Sequence, residues 1–237
     1  MTSLDQLKGF RQSVYEVLGN GRDGIFDLMD AVLMSRSVSS FAELSLSAVF
    51  RRQWSSAYAC VQDSQPPVQR LMKLYMRHVP QQQVCVIAGD HTSWSRPYAR
   101  TLKDRTYEHQ AQPLSGSTPV TVGQGYSTLA WIPEGKGSWA LPLLHERITI
   151  FDSPISKAVS QLKTVCGQMS TRPLSLWDSE YGCAPFISHT AAIACDKLIR
   201  VRPNRALYAA PPAYEGKGRP RKHGRVDSFA GVIRLRS

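Results

Sequence analysis

The chain has 237 residues, 42% of them hydrophobic, with a formal net charge of +11. That length allows one sizeable core and a small second unit, and that composition excludes a disordered chain. Five cysteines, Cys60, Cys85, Cys166, Cys183 and Cys195, are widely spaced and none pairs at C-x-x-C spacing. This argues against a zinc cluster or a disulfide framework and for a reducing compartment.

The opening Met1-Thr-Ser-Leu-Asp-Gln6 lacks a basic segment followed by an apolar one, so no signal peptide is expected. The apolar runs are too short for a membrane-crossing helix. A soluble, cytoplasmic protein without a membrane partner is the expectation. The positive charge is uneven. Residues 1–80 carry a net +2, residues 81–195 a net +1 and residues 196–237 a net +8. A basic patch of this kind attracts a polyanion, with nucleic acid the first candidate. A solvated basic tail is the plainer alternative.

In chain order, residues 1–78 read as helical. Leu4, Leu7, Phe10, Val14 and Leu18 recur at three- and four-residue steps, as on one helix face. A second helix is expected over about 23–35. Ser40-Phe-Ala-Glu43 matches a capping box and predicts a helix over about 41–62, ended by Pro66 and Pro67. A short helix over 68–78 completes a small all-helical unit without a helix-turn-helix signature. Val84, Cys85, Val86 and Ile87 then read as a buried strand ending at Asp90. Residues 95–125, rich in Pro, Gly, Ser and charge, read as a long irregular connection. Strands are expected over Tyr126–Pro133 and Gly137–Ile148, with a turn at 133–136. A helix over 154–168, a strand over Pro173–Asp178, a helix over 184–194 and a strand over Lys197–Arg202 follow. Residues 203–237, centred on Gly-Lys-Gly-Arg-Pro-Arg-Lys-His-Gly-Arg at 216–225, read as a basic, extended, flexible arm.

Three strands, a helix, a strand, a helix and a strand make an α/β pattern. It fits a ribonuclease H-like mixed five-stranded sheet with flanking helices, preceded by the helical unit. The expected domains are 1–80, 81–202 and the arm 203–237. Asp90 and Asp178 each end an apolar strand, and sites in α/β sheets gather at strand ends. Two carboxylates brought together repel unless a cation joins them, and oxygen ligands select hard ions such as Mg²⁺ or Mn²⁺. Two such ions stabilise both the attacking and the leaving oxygen of a phosphodiester. An aspartate after a strand also serves as a helix cap or an Asx-turn, so position alone leaves both roles open.

The surrounding residues narrow the choice. Ala88-Gly-Asp90-His-Thr-Ser-Trp-Ser-Arg-Pro97, with Thr101-Leu-Lys-Asp104-Arg-Thr106 and His109, resembles the first catalytic block of insertion-sequence transposases of the DDE superfamily. Val122-Gly-Gln-Gly-Tyr-Ser127 and Ser138-Trp-Ala-Leu-Pro-Leu143 resemble the strands that follow. Leu176-Trp-Asp178-Ser-Glu-Tyr-Gly182 resembles the second block, and Asn204-Arg-Ala-Leu-Tyr208 through Gly224 the stretch beyond the fifth strand. The resemblance spans about 37–225.

It implies an RNase H-like core in which Asp90 and Asp178 are catalytic and hold Mg²⁺ (or Mn²⁺), with DNA as partner at element ends and target. It also implies a homodimer acting on paired ends, and a nucleoid-associated location in the cytoplasm. A third acid is implied on a helix beyond the fifth strand. Of the acids after Asp178, only Glu180 lies close enough in sequence to share a metal. The expectation is therefore a truncated member that stops before its third carboxylate. Arg96, Lys103 and Arg105 are candidate phosphate contacts, as are Lys217, Arg219, Arg221, Lys222 and Arg225 of the arm, which would position DNA without reading its sequence. His91 and His109 are candidates for the metal site or a phosphate, or are structural. Two alternatives remain: a transposase-derived DNA-binding protein without catalysis, and an RNase H-like nuclease with a reduced site that recruits Glu180.

Overall fold

The computed structural model describes residues 3–38, 40–80, 85–109, 119–133, 136–137, 139–216, 218–228 and 231–235, with backbone alone at 227–228 and 231–235. The chain divides into two compact units, Met1–His78 and Val79–Ser237.

The first unit is all helical: α1 (Ser3–Leu18), α2 (Arg22–Met34), α3 (Phe41–Leu44), α4 (Trp54–Asp63) and α5 (Val68–Met76). Leu28, Ala31, Leu44, Phe50, Ala57 and Cys60 form its buried core. The helix expected over 41–62 is broken between Leu44 and Trp54. At 3.6 residues per turn Phe50 would sit about 240° around a continuous helix from Leu44. The break lets both side chains enter one core. Ser40 does cap α3, its side chain accepting from the Glu43 N–H at 3.1 Å. Leu4 and Leu7, expected on the apolar face of α1, are exposed. The ring contacts of α1 begin at Phe10, which meets Tyr75 and His78. Asp27 is buried, and Arg51 and Arg52 both pair with it at 2.8 and 3.2 Å.

The second unit is built on a seven-stranded mixed sheet. Its elements are β1 (Val86–Ser95), β2 (Thr106–His109), β3 (Val120–Ile132), β4 (Leu141–Ile148), α6 (Pro154–Cys166), β5 (Leu174–Trp177), α7 (Ala184–Thr190), β6 (Asp196–Val201), β7 (Ala206–Tyr208), β8 (Val226–Ser228) and β9 (Gly231–Leu235). β3 pairs antiparallel with β1 on one side, and with β2 and then β4 on the other. β5 runs parallel to β1, β6 parallel to β5, and β9 antiparallel to β6. The path β4-β3-β1-β5-β6, with the first three antiparallel and the last two parallel to β1, is the RNase H-like arrangement. β2 and β9 extend it beyond the five strands expected.

α6 begins at a capping box: the Ser153 side chain accepts from the Ser156 N–H, and Pro154 occupies the first turn, where its missing N–H costs nothing. The helix lies on one face of the sheet, where Gln161 donates to the Ser127 carbonyl at 3.0 Å and to Glu146 at 3.2 Å, and accepts from the Ser127 hydroxyl at 2.7 Å.

Four expectations are corrected. Asp90 does not end its strand: β1 runs on to Ser95, because antiparallel pairing with β3 continues after parallel pairing with β5 has stopped at Gly89. The connection 95–125 is not wholly irregular: it contains β2, and β3 already starts at Val120. The helix after the second aspartate ends at Thr190, short of 194. The basic segment is not simply an extended arm: β7 and β8 pair as a ribbon, Ala209 N–H donates to the Arg225 carbonyl at 2.9 Å, and β9 returns to the sheet. The ribbon joins backbone groups that a free arm would leave to water. Val84 and the tip of the turn at 133–136 lie outside the described residues. Among the described residues no helix is long and apolar enough to cross a membrane.

Lys197 of β6 is buried at 1% exposure, its ammonium donating to the Cys195 carbonyl at 3.0 Å. Burial lowers its pKa below the ordinary lysine value. The unfolded chain therefore binds more protons between the lowered value and the ordinary one, so Lys197 makes stability rise with pH through that window. Urea unfolding between about pH 8 and 10 should show a shallower rise for Lys197→Met than for the parent; identical slopes would refute the assignment.

Candidate active site

The last parallel pair of β1 and β5 is Gly89 with Trp177. Asp90 and Asp178 are the next residues of the two neighbouring strands, whose axes lie about 4.8 Å apart. Both side chains are exposed. Asp178 borders a groove of about 360 Å³ lined also by Ala88, Gly89, Leu176 and Arg200. Side chains alternate along a strand, so Asp90 leaves the sheet on the face of Ala88, away from α6.

Each carboxylate is fixed by one backbone donor. Asp90 Oδ1 accepts from the His91 N–H at 2.8 Å. Asp178 Oδ1 accepts from the Glu180 N–H at 2.9 Å, the Asx-turn that the sequence left open. In each the second oxygen has no protein partner among the described residues. A pair of hard oxygen donors suits Mg²⁺ or Mn²⁺, which keep several waters and take one or two carboxylates beside substrate phosphates. Among the described residues no group of three His, Cys, Asp or Glu is arranged to hold a metal ion. The fit is to two carboxylates, with the rest of the shell left to water and phosphate.

Beneath the aspartates lies an aromatic floor. Trp177 packs on Tyr181 at 4.8 Å and on Phe186 at 4.6 Å between ring centroids. Tyr181 and Phe186 are fully buried. Burial, reinforced by the charges of Glu180, Asp90 and Asp178, pushes the Tyr181 hydroxyl up, so all three carboxylates act on that one ring. Gly89 admits the floor: a Cβ there would lie 2.0 Å from the Trp177 ring. Gly89→Ala is expected to destabilise by about 1–3 kcal/mol through overpacking, read as a lower urea midpoint with an unchanged m-value. An unaltered midpoint would show that the ring moves aside freely.

Glu180 does not stand alone beside Asp178. Its carboxylate is 3.6 Å from His91 Nδ1, and His91 Nε2 is 3.3 Å from Glu108 on the other side. The Glu108 contact is close, but it lies off the hydrogen-bond direction, and Nε2 has no aligned partner among the described residues. The facing Glu180 carboxylate raises the His91 pKa against the opposing effect of burial, and His91 in turn lowers that of Glu180.

Glu108 was not foreseen. It is 4% exposed and accepts from Ser93 at 3.0 Å and from Thr106. Its only trace in the sequence is Gly125, where a Cβ would lie 2.8 Å from Glu108 and 2.9 Å from His91 Nε2. Of the Gly-Gln-Gly of β3, Gly125 is thus the clearance for this pair, while Gly123 clears the Trp94 backbone carbonyl. His109 is exposed at the end of β2.

The cationic candidates fall into two groups. Arg96 lies over the Trp94 ring at 3.6 Å. Arg105 donates to the Arg96 and Pro97 carbonyls at 3.4 and 3.2 Å, so it braces the loop that carries both. Lys103 is exposed in the same loop. Arg219, Arg221, Lys222 and Arg225 are exposed on the ribbon and its tip, and Lys217 lies outside the described residues.

The order of blocks along the chain can now be set beside known families. The sequence model described as DDE superfamily endonuclease matches residues 14–231. The chain belongs to the DDE superfamily endonucleases. No curated protein matches it. The family match spans both units of this DDE superfamily chain, including the strands that carry Asp90 and Asp178 and the basic ribbon.

Proposed function

We propose that the chain is an insertion-sequence transposase that cleaves phosphodiesters at element ends and joins the freed 3′-hydroxyl to target DNA. The observation that carries this reading is the register of β1 and β5, which sets Asp90 beside Asp178 with one uncommitted oxygen each. Bound there, Mg²⁺ or Mn²⁺ would activate water and stabilise charge on the phosphate oxygens. Asp90 and Asp178 hold and orient; their backbone hydrogen bonds keep the carboxylates aimed. The exposed cations of the ribbon hold the DNA backbone. In this reading residues 1–80 are a helical domain, 81–202 the catalytic core and 203–237 a basic arm that folds as a ribbon and rejoins the core sheet through β9, and two copies act on paired ends.

Glu180 gives a variant of this reading. Its carboxylate, two residues beyond Asp178 and turned to His91, is the nearest further acid in sequence, and a nuclease with a reduced site would recruit it. The absence of a three-ligand cluster among the described residues favours a third reading, a transposase-derived DNA-binding protein without catalysis.

The test is nicking of supercoiled DNA by the purified chain. The transposase reading expects nicked product with Mg²⁺ or Mn²⁺, none with chelator, and none from Asp90→Ala. Nicking that Glu180→Gln abolishes selects the reduced site. Retained, salt-sensitive DNA binding without nicking selects the binding protein.

A further inference from the structure

The face of the sheet that carries Asp90 continues beyond it, away from α6, across β1, β3 and β4. Antiparallel partners share a face. Asp90 pairs with Thr128, and Thr128 with His145; two residues on, Tyr126 pairs with Arg147. Tyr126 and His145 stack at 5.1 Å with their planes 1° apart, and Thr128 bonds His145 Nδ1 at 2.8 Å. Four residues from Asp90, on the same face, stands Trp94. Arg96 covers one side of its ring, which is still 47% exposed. Arg147 is held by Asp104 at 2.7 Å.

We infer that this face is a stacking track for single-stranded DNA, with Trp94 and the Tyr126–His145 pair as its two platforms and Arg96 as its phosphate contact. The inference rests on the DNA-cleaving reading and specifies its substrate: a strand unpaired next to the scissile phosphate. Two physical points select the single strand. A duplex offers a flat sheet only base edges and phosphates, whereas an unpaired base has a free face for an aromatic ring. Arg96 matches phosphate in charge. From Asp90 to Trp94 the strand advances about 14 Å, so a phosphate at the carboxylates leaves its neighbouring nucleotides over the rings. The track is continuous with the aspartates along β1 itself.

The experiment measures fluorescence anisotropy of a labelled oligothymidylate and of a blunt duplex of equal length, with chelator present so that nothing is cut. The intact chain should bind the single strand more tightly. Trp94→Ala should weaken single-strand binding by about 5–150-fold and duplex binding by less than about twofold, while Trp94→Phe keeps most of the affinity. His145→Ala, at an exposed position, should act in the same direction and guards against a folding defect in Trp94→Ala. Equal losses on both probes, no loss on either, or no single-strand binding overturns the inference. Because this readout needs no cleavage, nicking without single-strand preference sinks the track alone. Single-strand preference without nicking sinks only the catalytic reading.

Discussion

Asp90→Ala is expected to lower metal-dependent nicking of supercoiled DNA by about 10³-fold, near 4 kcal/mol of transition-state stabilisation. A carboxylate that holds a divalent ion contributes through that ion, and losing one of two such ligands removes much of the charge stabilisation at the phosphate. The side chain is exposed, so the same change should move stability by no more than about 0.5 kcal/mol. Asp178→Asn separates two roles of the second aspartate. The amide oxygen can still accept from the Glu180 N–H and keep the turn, but the charge is gone. A comparable loss in Asp178→Asn locates the effect in the charge. An Asn variant that nicks normally, beside an inactive Asp178→Ala, would reduce Asp178 to a turn residue. Normal nicking by Asp90→Ala would end the two-carboxylate reading.

The second large effect concerns the floor. Phe186→Ala is expected to cost about 3–5 kcal/mol, a large share of a typical stability of about 5–15 kcal/mol. The ring is fully buried and touches both Trp177 and Tyr181. Its removal leaves a cavity between groups that cannot close it without dragging β5 and its trailing Asp178. Urea unfolding followed by circular dichroism measures the loss. A cost under about 1 kcal/mol would show that the floor repacks and does not hold the aspartates in register.

Periodicity and punctuation made the parallel half of the sheet legible. β5, α6 and β6 stand within a few residues of their expected bounds, because each buries an apolar face that the sequence displays directly. Asp90 and Asp178 are proposed as the site on the blocks around them. Glu108 was not legible. It sits in a segment rich in loop residues, and only pairing with β3 turns residues 106–109 into a strand. The length of β1 was hidden for the same reason. Beyond Asp90 its residues are His, Thr, Ser and Trp, polar enough to read as loop, and the partner strand supplies what propensity does not. The helix break at 45–53 is likewise tertiary: Phe50 is drawn into a core that lies on the wrong side of a continuous helix.

The return of β9 to β6 changes the polymer physics of the basic segment. Between Val201 and Gly231 the chain is anchored at both ends, and the β7–β8 ribbon pinches it again. A free tail explores a wide volume and surrenders much of that freedom on contact. A doubly tethered loop has already given up most of it during folding, and lengthening such a loop twofold adds only about 0.6 kcal/mol to closure. Its arginines are confined near the core at a high effective concentration. In the DNA-cleaving reading, a strand released by one cation is recaptured by the next before it diffuses away.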